Sequence, residues 1–529
     1  MSSLGALMGD QVGSNFGFGG LGLIGSGRGG GGLGVGSMGA YPEPPFEREA
    51  YEHIDEVGLR LVAEHPLSTF SIDVDTASYS NTRRFLSEGR LPPPDAVRIE
   101  EMINYFEYDY APPAHGAAPF SVHTEVGPCP WNSERRLLHV GIQARRIDQA
   151  DVPPRNLVFL LDVSGSMGSA DKLPLLLSAM NLLVDNLRPV DRVAIVVYAG
   201  AAGLVLPSTP GTARPAIRDA LARLQAGGST DGGAGIQLAY DLARQHFIRG
   251  GINRVVLATD GDFNVGTTSH GDLTRLIEEQ RQSGVFLSVL GFGTGNLQDH
   301  TMETLADHGN GNYAYIDTIA EARRVLVRTA GGTLVTIAKD VKLQLEFNPE
   351  RVASYRLIGY DNRRLRDEEF NDDARDAGEI GAGHSVTALY EFVPASTTSP
   401  NAANSVDRPP IDPLRYQGER APSAEAASDE LATAKIRYKR PDGETSILLS
   451  RRVRDRVVPS GELSPTFRFS AAVAAFGMVL RGSEHRGSAT FDSVRRLAQT
   501  AIGRDPHGDR RELIRLIDSA EALGPDATR

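Results

Sequence analysis

Apolar and polar positions follow two different rhythms along this chain. From 120 to 145, "FSVHTEV" and "RLLHVGIQAR" alternate around a turn at 128–132, which predicts two antiparallel strands with one buried face. The alternation returns in "VKLQLEF" (341–347), "YRLIGY" (355–360), "SVTALYEFV" (385–393) and "ATAKIRYKR" (432–440). Between these two zones the apolar runs are continuous: "NLVFLLD" (156–162), "RVAIVVY" (192–198), "RVVLATD" (254–260) and "VFLSVLGFG" (285–293). Amphipathic helical stretches separate them at 172–187, 212–224, 233–248, 271–283 and 319–329. Unbroken apolar strands alternating with helices predict a parallel sheet covered on both faces. Right-handed crossovers then make it a doubly wound α/β domain, at 151–332. The expected architecture is that domain inserted into a β-sandwich-like domain built from 116–150 and 333–458.

The ends of the chain read differently. The N-terminal α/β flank, 46–115, carries a helix-like segment at 48–63, then a strand and a capped helix in "STFSIDVDTASYSNTRRFL" (68–86), and helical spacing again at 99–106. The C-terminal region, 459–529, is expected to be helical. Its apolar stripe runs through Phe491, Val494, Leu497 and Ala498, then Leu513, Leu516 and Ile517. Residues 1–45 read as a flexible tail or tether, because the glycine-dominated tract at 13–40 buries too little apolar surface to offset its ordering entropy. The Ala-, Ser-, Pro- and Asn-rich stretch 394–430 reads as a mobile linker.

Composition narrows the function classes. A formal net charge of −12 leaves no basic surplus to neutralise phosphates, so nucleic acid is not the expected partner. One cysteine, Cys129, excludes an internal disulfide framework and any all-cysteine metal site. No run approaches the ~18 apolar residues that span a bilayer, and no basic flank followed by an apolar core is legible as a signal peptide.

The candidate chemistry lies where the continuous strands end. "FLLDVSGSM" (159–167) closes an apolar strand with Asp162, Ser164 and Ser166, alternate polar side chains that a turning chain can bring to one point. In a doubly wound sheet, ligands bind outside the carboxyl ends of the strands. Two further stretches reach the same edge: "GGSTDGGAGI" (227–236) puts Thr230 just ahead of a helix, and "TDGD" (259–262) puts Asp260 at a strand end. Five oxygen donors without nitrogen or sulfur suit Mg²⁺, Mn²⁺ or Ca²⁺. Two carboxylates and three hydroxyls leave such a cation under-ligated, with a position open to an outside carboxylate. Taken singly the motifs are weaker. D-x-S-x-S alone reads as a helix cap, the glycine loop lacks the Gly-Lys-Ser/Thr ending of a P-loop, and "DGDFNVG" breaks the EF-hand pattern at Val265 and Gly271. A phosphatase of the haloacid dehalogenase type would need a second acid where Ser164 stands, and no nucleophile elbow is present.

Together, the D-x-S-x-S of 162–166, the threonine at 230 and the T-D-G of 259–261 resemble the metal-ion-dependent adhesion site of von Willebrand factor A domains. The resemblance covers roughly 155–330 and implies a Rossmann-like, doubly wound fold. It implies that Ser164, Ser166 and Thr230 ligate the metal directly, while Asp162 and Asp260 act through water or hydrogen bonds. "STFSIDVDTASYSNTRRFL", "IEEMINYF" and "FRFSAAVAAFGMVLRGS" resemble the bacterial YfbK-like group. The implied function is a non-enzymatic module, Mg²⁺-dependent, that captures an Asp or Glu of a protein partner at the cell envelope. The alternative is a subunit accompanying an AAA+ ATPase in a metal-chelatase-like assembly. This chain has no Walker motif, so that ATPase would be a separate protein.

Overall fold

The computed structural model describes residues 49–72, 75–114, 118–148, 150–228, 232–261, 270–329, 335–373, 377–395, 422–443 and 445–524. The first elements are β1 (Arg60–Leu61), β2 (Leu67–Ser71), α1 (Ala77–Ser87), α2 (Ile99–Asn104), β3 (Phe120–Pro128) and β4 (Arg136–Ala144). The α/β unit follows, with β5 (Arg155–Asp162), α3 (Leu173–Asp185), β6 (Arg192–Tyr198), β7 (Ala202–Pro210), α4 (Arg214–Ala222) and α5 (Gly232–Gln245). It continues through β8 (Ile252–Thr259), α6 (His270–Gln282), β9 (Phe286–Phe292), α7 (Asp299–His308), β10 (Tyr313–Ile316) and α8 (Ile319–Arg323). Next come β11 (Thr336–Phe347), β12 (Val352–Leu357), β13 (Arg364–Leu365), β14 (Ile380–Gly381), β15 (Ser385–Pro394), β16 (Glu430–Lys439) and β17 (Ser446–Arg454). Three helices close the chain: α9 (Pro465–Arg481), α10 (Phe491–Gln499) and α11 (Asp509–Leu523).

The α/β sheet runs β10-β9-β8-β5-β6-β7, parallel except for the antiparallel edge strand β7. Every residue of β5 and β8 is buried, which is why their sequences show no alternation. Leu157, Phe159 and Leu161 of β5 pack under α3 and α4, while Val158 and Leu160 pack under α5, α6 and α7. The doubly wound reading holds, with β5 at the centre of the sheet and Asp162 at its carboxyl end.

Two antiparallel sheets share a second core. One runs β1-β12-β15-β4-β3, the other β13-β2-β11-β16-β17, with β14 added against β11. Val140, Ile142, Val386 and Ala388 of the first face Leu343, Leu345, Ala434 and Ile436 of the second. This is the β-sandwich into which the α/β unit is inserted. The N-terminal flank contributes more to it than its sequence suggests. β2 lies against β11, pairing Phe70 with Leu343 and Ser68 with Leu345, and β1 pairs with β12. Residues 333–460 on their own therefore lack β1 to β4, and expressed alone they should give no dispersed NMR spectrum. A well-dispersed spectrum from that fragment would show that the sandwich does not need its N-terminal strands.

Among the described residues 49–63, the helix expected over 48–63 does not form. The Ala50 amide donates to the Leu297 carbonyl, and the Glu49 carboxylate accepts the Gly295 N–H and an Arg84 N–H. The segment satisfies its polar groups against the α/β loop at 295–298, a tertiary demand that overrides weak helical propensity. The tail at 1–45 lies outside the described residues, as does 396–421 of the 394–430 stretch; within the rest of it, Ala424–Ala427 make one 3₁₀ turn. The third core joins α2, Tyr108, Tyr110 and Trp131 to α9, α10 and α11. It buries Phe491, Val494, Ala498, Leu513, Leu516 and Ile517, with Leu497 packed at its margin. No helix among the described residues is long and apolar enough to cross a membrane.

Candidate metal centre

Three strand ends and two loops meet at the carboxyl edge of the parallel sheet. β5 ends in Asp162 and the chain turns at once into a 3₁₀ turn at Gly165–Gly168. Asp162 is fully buried, and one carboxylate oxygen accepts the Ser164 N–H at 2.9 Å. That bond fixes the turn and sets the Ser164 and Ser166 hydroxyls 3.0 Å apart, with Ser164 buried and Ser166 exposed. The other Asp162 oxygen accepts the Tyr198 hydroxyl at 3.2 Å and the Thr259 hydroxyl at 3.3 Å, from the ends of β6 and β8. Both neighbouring strands thus hold the carboxylate from the sides.

Asp260 follows β8 and is also fully buried. Gly261, at φ +101°, turns the chain close beneath the 296–298 loop; a Cβ there would lie 2.5 Å from the Gln298 nitrogen. Asp260 accepts the Lys172 ammonium at 2.9 Å, and the same ammonium reaches Asn296 Oδ1 at 2.9 Å. The electrostatics of the two acids diverge. Burial pushes the Asp162 carboxyl up to about 6, opposed by hydrogen bonds from Ser164 and Tyr198 and reinforced by Asp260. Burial also opposes ionisation of Asp260, but hydrogen bonds from Asn296, Lys172 and Ser166, with the charge of Lys172, hold its carboxyl below the usual range.

Four of the five expected residues therefore converge: Asp162, Ser164, Ser166 and Asp260. Thr230 lies outside the described residues, and α5 begins two positions after it, at Gly232. The donor chemistry fits a hard divalent cation. Two buried carboxylates crowd one another, a cation between them would relieve the Asp162 burial cost, and neighbouring hydroxyls supply neutral oxygens. Among the described residues, no group of three or more His, Cys, Asp or Glu side chains could hold a metal. Sequence reasoning missed Lys172, Tyr198 and Asn296. Tyr198 ends a central strand at the same edge, so strand-end position was an available signal; Lys172 and Asn296 sit in loops that no periodicity marks. Cys129 is buried against Glu391, and burial pushes its thiol up to about 12, which makes it inert.

Comparison with known proteins shows the family. Residues 156–326 match the von Willebrand factor type A domain, 45–139 match a family described as von Willebrand factor, and 332–523 match the C-terminal region of the uncharacterized protein YfbK. The uncharacterized protein YfbK of Escherichia coli is 46% identical over 480 residues, 89% of this chain and 81% of that protein. An uncharacterized Synechocystis protein is 30% identical over 196 residues, 36% of this chain and 44% of its own. Among solved structures, a von Willebrand factor type A protein from Catenulispora acidiphila, 16% identical, matches 76% of this chain and 91% of its own at a TM-score of 0.42. The type A domain is in general a protein–protein interaction module, and it commonly binds a divalent metal. By its near full-length likeness to the Escherichia coli protein and by its three matched regions, the chain belongs to the YfbK family of von Willebrand factor type A proteins.

Proposed function

We propose that this protein is a non-enzymatic, divalent-metal-dependent interaction module that captures an Asp or Glu of a protein partner, working at the cell envelope as the family resemblance implies. The observation that carries this reading is the pair of serine hydroxyls 3.0 Å apart beside two fully buried carboxylates, with Ser166 exposed at the sheet edge. Ser164, Ser166 and Thr230 would hold Mg²⁺, or Mn²⁺ or Ca²⁺, with Asp162 and Asp260 behind them. Bound there, the cation supplies a positive charge facing solvent. Asp162 orients the Ser164 turn, and the buried walls formed by Tyr198 and Thr259 keep that carboxylate from rotating away. A partner carboxylate arriving from solvent meets hydroxyls and uncompensated positive charge, a contact stronger than a neutral hydrogen bond.

Ser470 Oγ lies 3.3 Å from His139 Nδ1, and Tyr110 lies 2.6 Å from His139 Nε2, a spacing reminiscent of nucleophilic catalysis. Both Ser470 and His139 are buried, and burial pushes the imidazole down to about 3, so it stays neutral and out of reach of substrate. The alternative of a subunit in an AAA+ assembly finds no support in the relatives.

Thr230 tests the reading. Thr230→Ala should weaken capture of the partner from extracts by the full-length protein more than it weakens Mn²⁺ binding, and EDTA should release the partner from the wild type. A partner retained in full by Thr230→Ala and in excess EDTA would mean that the binding surface lies elsewhere.

A further inference from the structure

Lys172 is the charged neighbour of the metal centre that its motifs do not include. It caps the N-terminus of α3, where the helix dipole disfavours a cation, and its side chain makes no capping bond there. Its place is explained by what lies beyond it. The ammonium sits between Asp260 and Asn296 at 2.9 Å from each, and the residue is 7% exposed. The aliphatic stem lies across Gly293, at φ +74°, where any Cβ would collide with the lysine Cγ, Cδ and Cε. One bond joins the two loops that frame it: the Asp171 carboxylate accepts the Thr294 hydroxyl at 3.4 Å, while the Ser169 hydroxyl holds that carboxylate within its own loop at 2.5 Å. A charge held this way has little freedom to leave when a second cation arrives.

We propose that Lys172 is a positioning and specificity-setting residue of the metal centre: its fixed ammonium cancels the charge of Asp260, restrains the affinity for the cation and reserves the cation's charge for the partner's carboxylate. The inference rests on the metal-dependent reading given above. Asp162, Asp260 and Lys172 together carry one formal negative charge, so a dication among them keeps one positive charge facing solvent. Without the ammonium, the two carboxylates would neutralise the dication and leave nothing for an outside acid. The lysine also fixes one Asp260 oxygen, and the Ser166 hydroxyl hydrogen-bonds the same carboxylate, so Asp260 is held in place from two sides. A lysine serving only as a structural pair for a buried acid would leave metal affinity unmoved, or lower it when removed.

The test is a set of Mn²⁺ titrations followed by electron paramagnetic resonance, on the full-length protein at fixed pH and salt. Lys172→Met should bind Mn²⁺ about tenfold more tightly than wild type, the scale expected for removing one charge at close range in a partly screened site. Asp260→Asn, which leaves the ammonium uncompensated, should bind at least about tenfold more weakly by the same argument. The double variant should return toward wild type, because charge balance is restored. Acetate, as a carboxylate probe, should perturb the bound Mn²⁺ signal at lower concentration in wild type than in Lys172→Met. Should Lys172→Met fail to fold by circular dichroism, Lys172→Gln keeps a donor without the charge and should shift affinity the same way. Wild-type binding that Asp162→Ala removes but neither Lys172 variant tightens would overturn the role of Lys172 alone. No Mn²⁺ binding by any variant would overturn the metal centre together with this inference.

Discussion

Asp162→Ala should abolish Mn²⁺ and Mg²⁺ binding by the full-length protein while leaving it folded. The substitution removes one of two carboxylates at the centre and, with it, the acceptor that orders the Ser164 turn at 2.9 Å. Tyr198 and Thr259 lose the same acceptor, and a buried donor deprived of its partner costs about 1–3 kcal/mol. Against that cost, the variant no longer holds a fully buried carboxyl whose ionisation burial opposes. The two effects offset, so the metal-free melting temperature should move by only a few degrees. The metal-dependent shift is what disappears: a ligand at a hundred times its Kd stabilises by about 2.7 kcal/mol, and a variant that does not bind gains none of it. Calorimetric titration and melting curves with and without Mg²⁺ check both halves. Equal binding by wild type and Asp162→Ala would place any metal at another site.

The centre was legible in the sequence because its chemistry follows the strand ends. Asp162 and Asp260 each terminate an apolar run that is buried on both faces, and that pattern places them on one edge before any contact is known. The partners at that edge were less visible. Tyr198 closes the apolar run at 192–198 and Lys172 opens the helical stretch at 172–187, and neither pattern marks a contact at the site. Only the folded chain brings the 293–298 loop over Lys172 and gives its ammonium two acceptors. The same limit applies to the fold. β7 carries a glycine and two prolines, residues that depress strand propensity, and it is tolerated because it pairs on one side only. β10 is four residues long, too short for a period to show, and the edge strand β17 is too exposed to alternate cleanly. The pattern of "STFSI" predicts the strand β2, but nothing in it says that its partner lies about 270 residues later in β11. Pairing over such separations is set by tertiary packing, which local patterns do not encode.

Arg98→Met should be among the most destabilising single substitutions in the molecule, costing about 3–5 kcal/mol, because it removes the cation from a buried charge cluster. Arg98 is 3% exposed and lies between α2 and α7. It pairs with Asp299 at 2.6 Å, Glu101 at 3.0 Å and Glu303 at 3.1 Å. Burial already pushes the Glu101 and Asp299 carboxyls up, and the charge of Arg98 is what counters it. Arg363 of the β-sandwich comes from the other side, holding Glu303 at 2.6 Å and Asp307 at 2.5 Å. The cluster therefore joins the N-terminal flank, the α/β unit and the sandwich through α7. Methionine fills the volume of the stem but leaves Glu101 and Asp299 without their arginine. The midpoint of urea unfolding, followed by circular dichroism, should fall accordingly, and a value within about 1 kcal/mol of wild type would show that the cluster contributes little. Because charge is the cause, adding Glu101→Gln to Arg98→Met should recover part of the loss, whereas a purely steric defect would be deepened by the second change. The effect should also reach the metal centre. Asp299 opens α7 directly after the 293–298 loop that carries Asn296, so releasing that helix end should weaken Mn²⁺ binding even though Arg98 itself touches none of the candidate ligands.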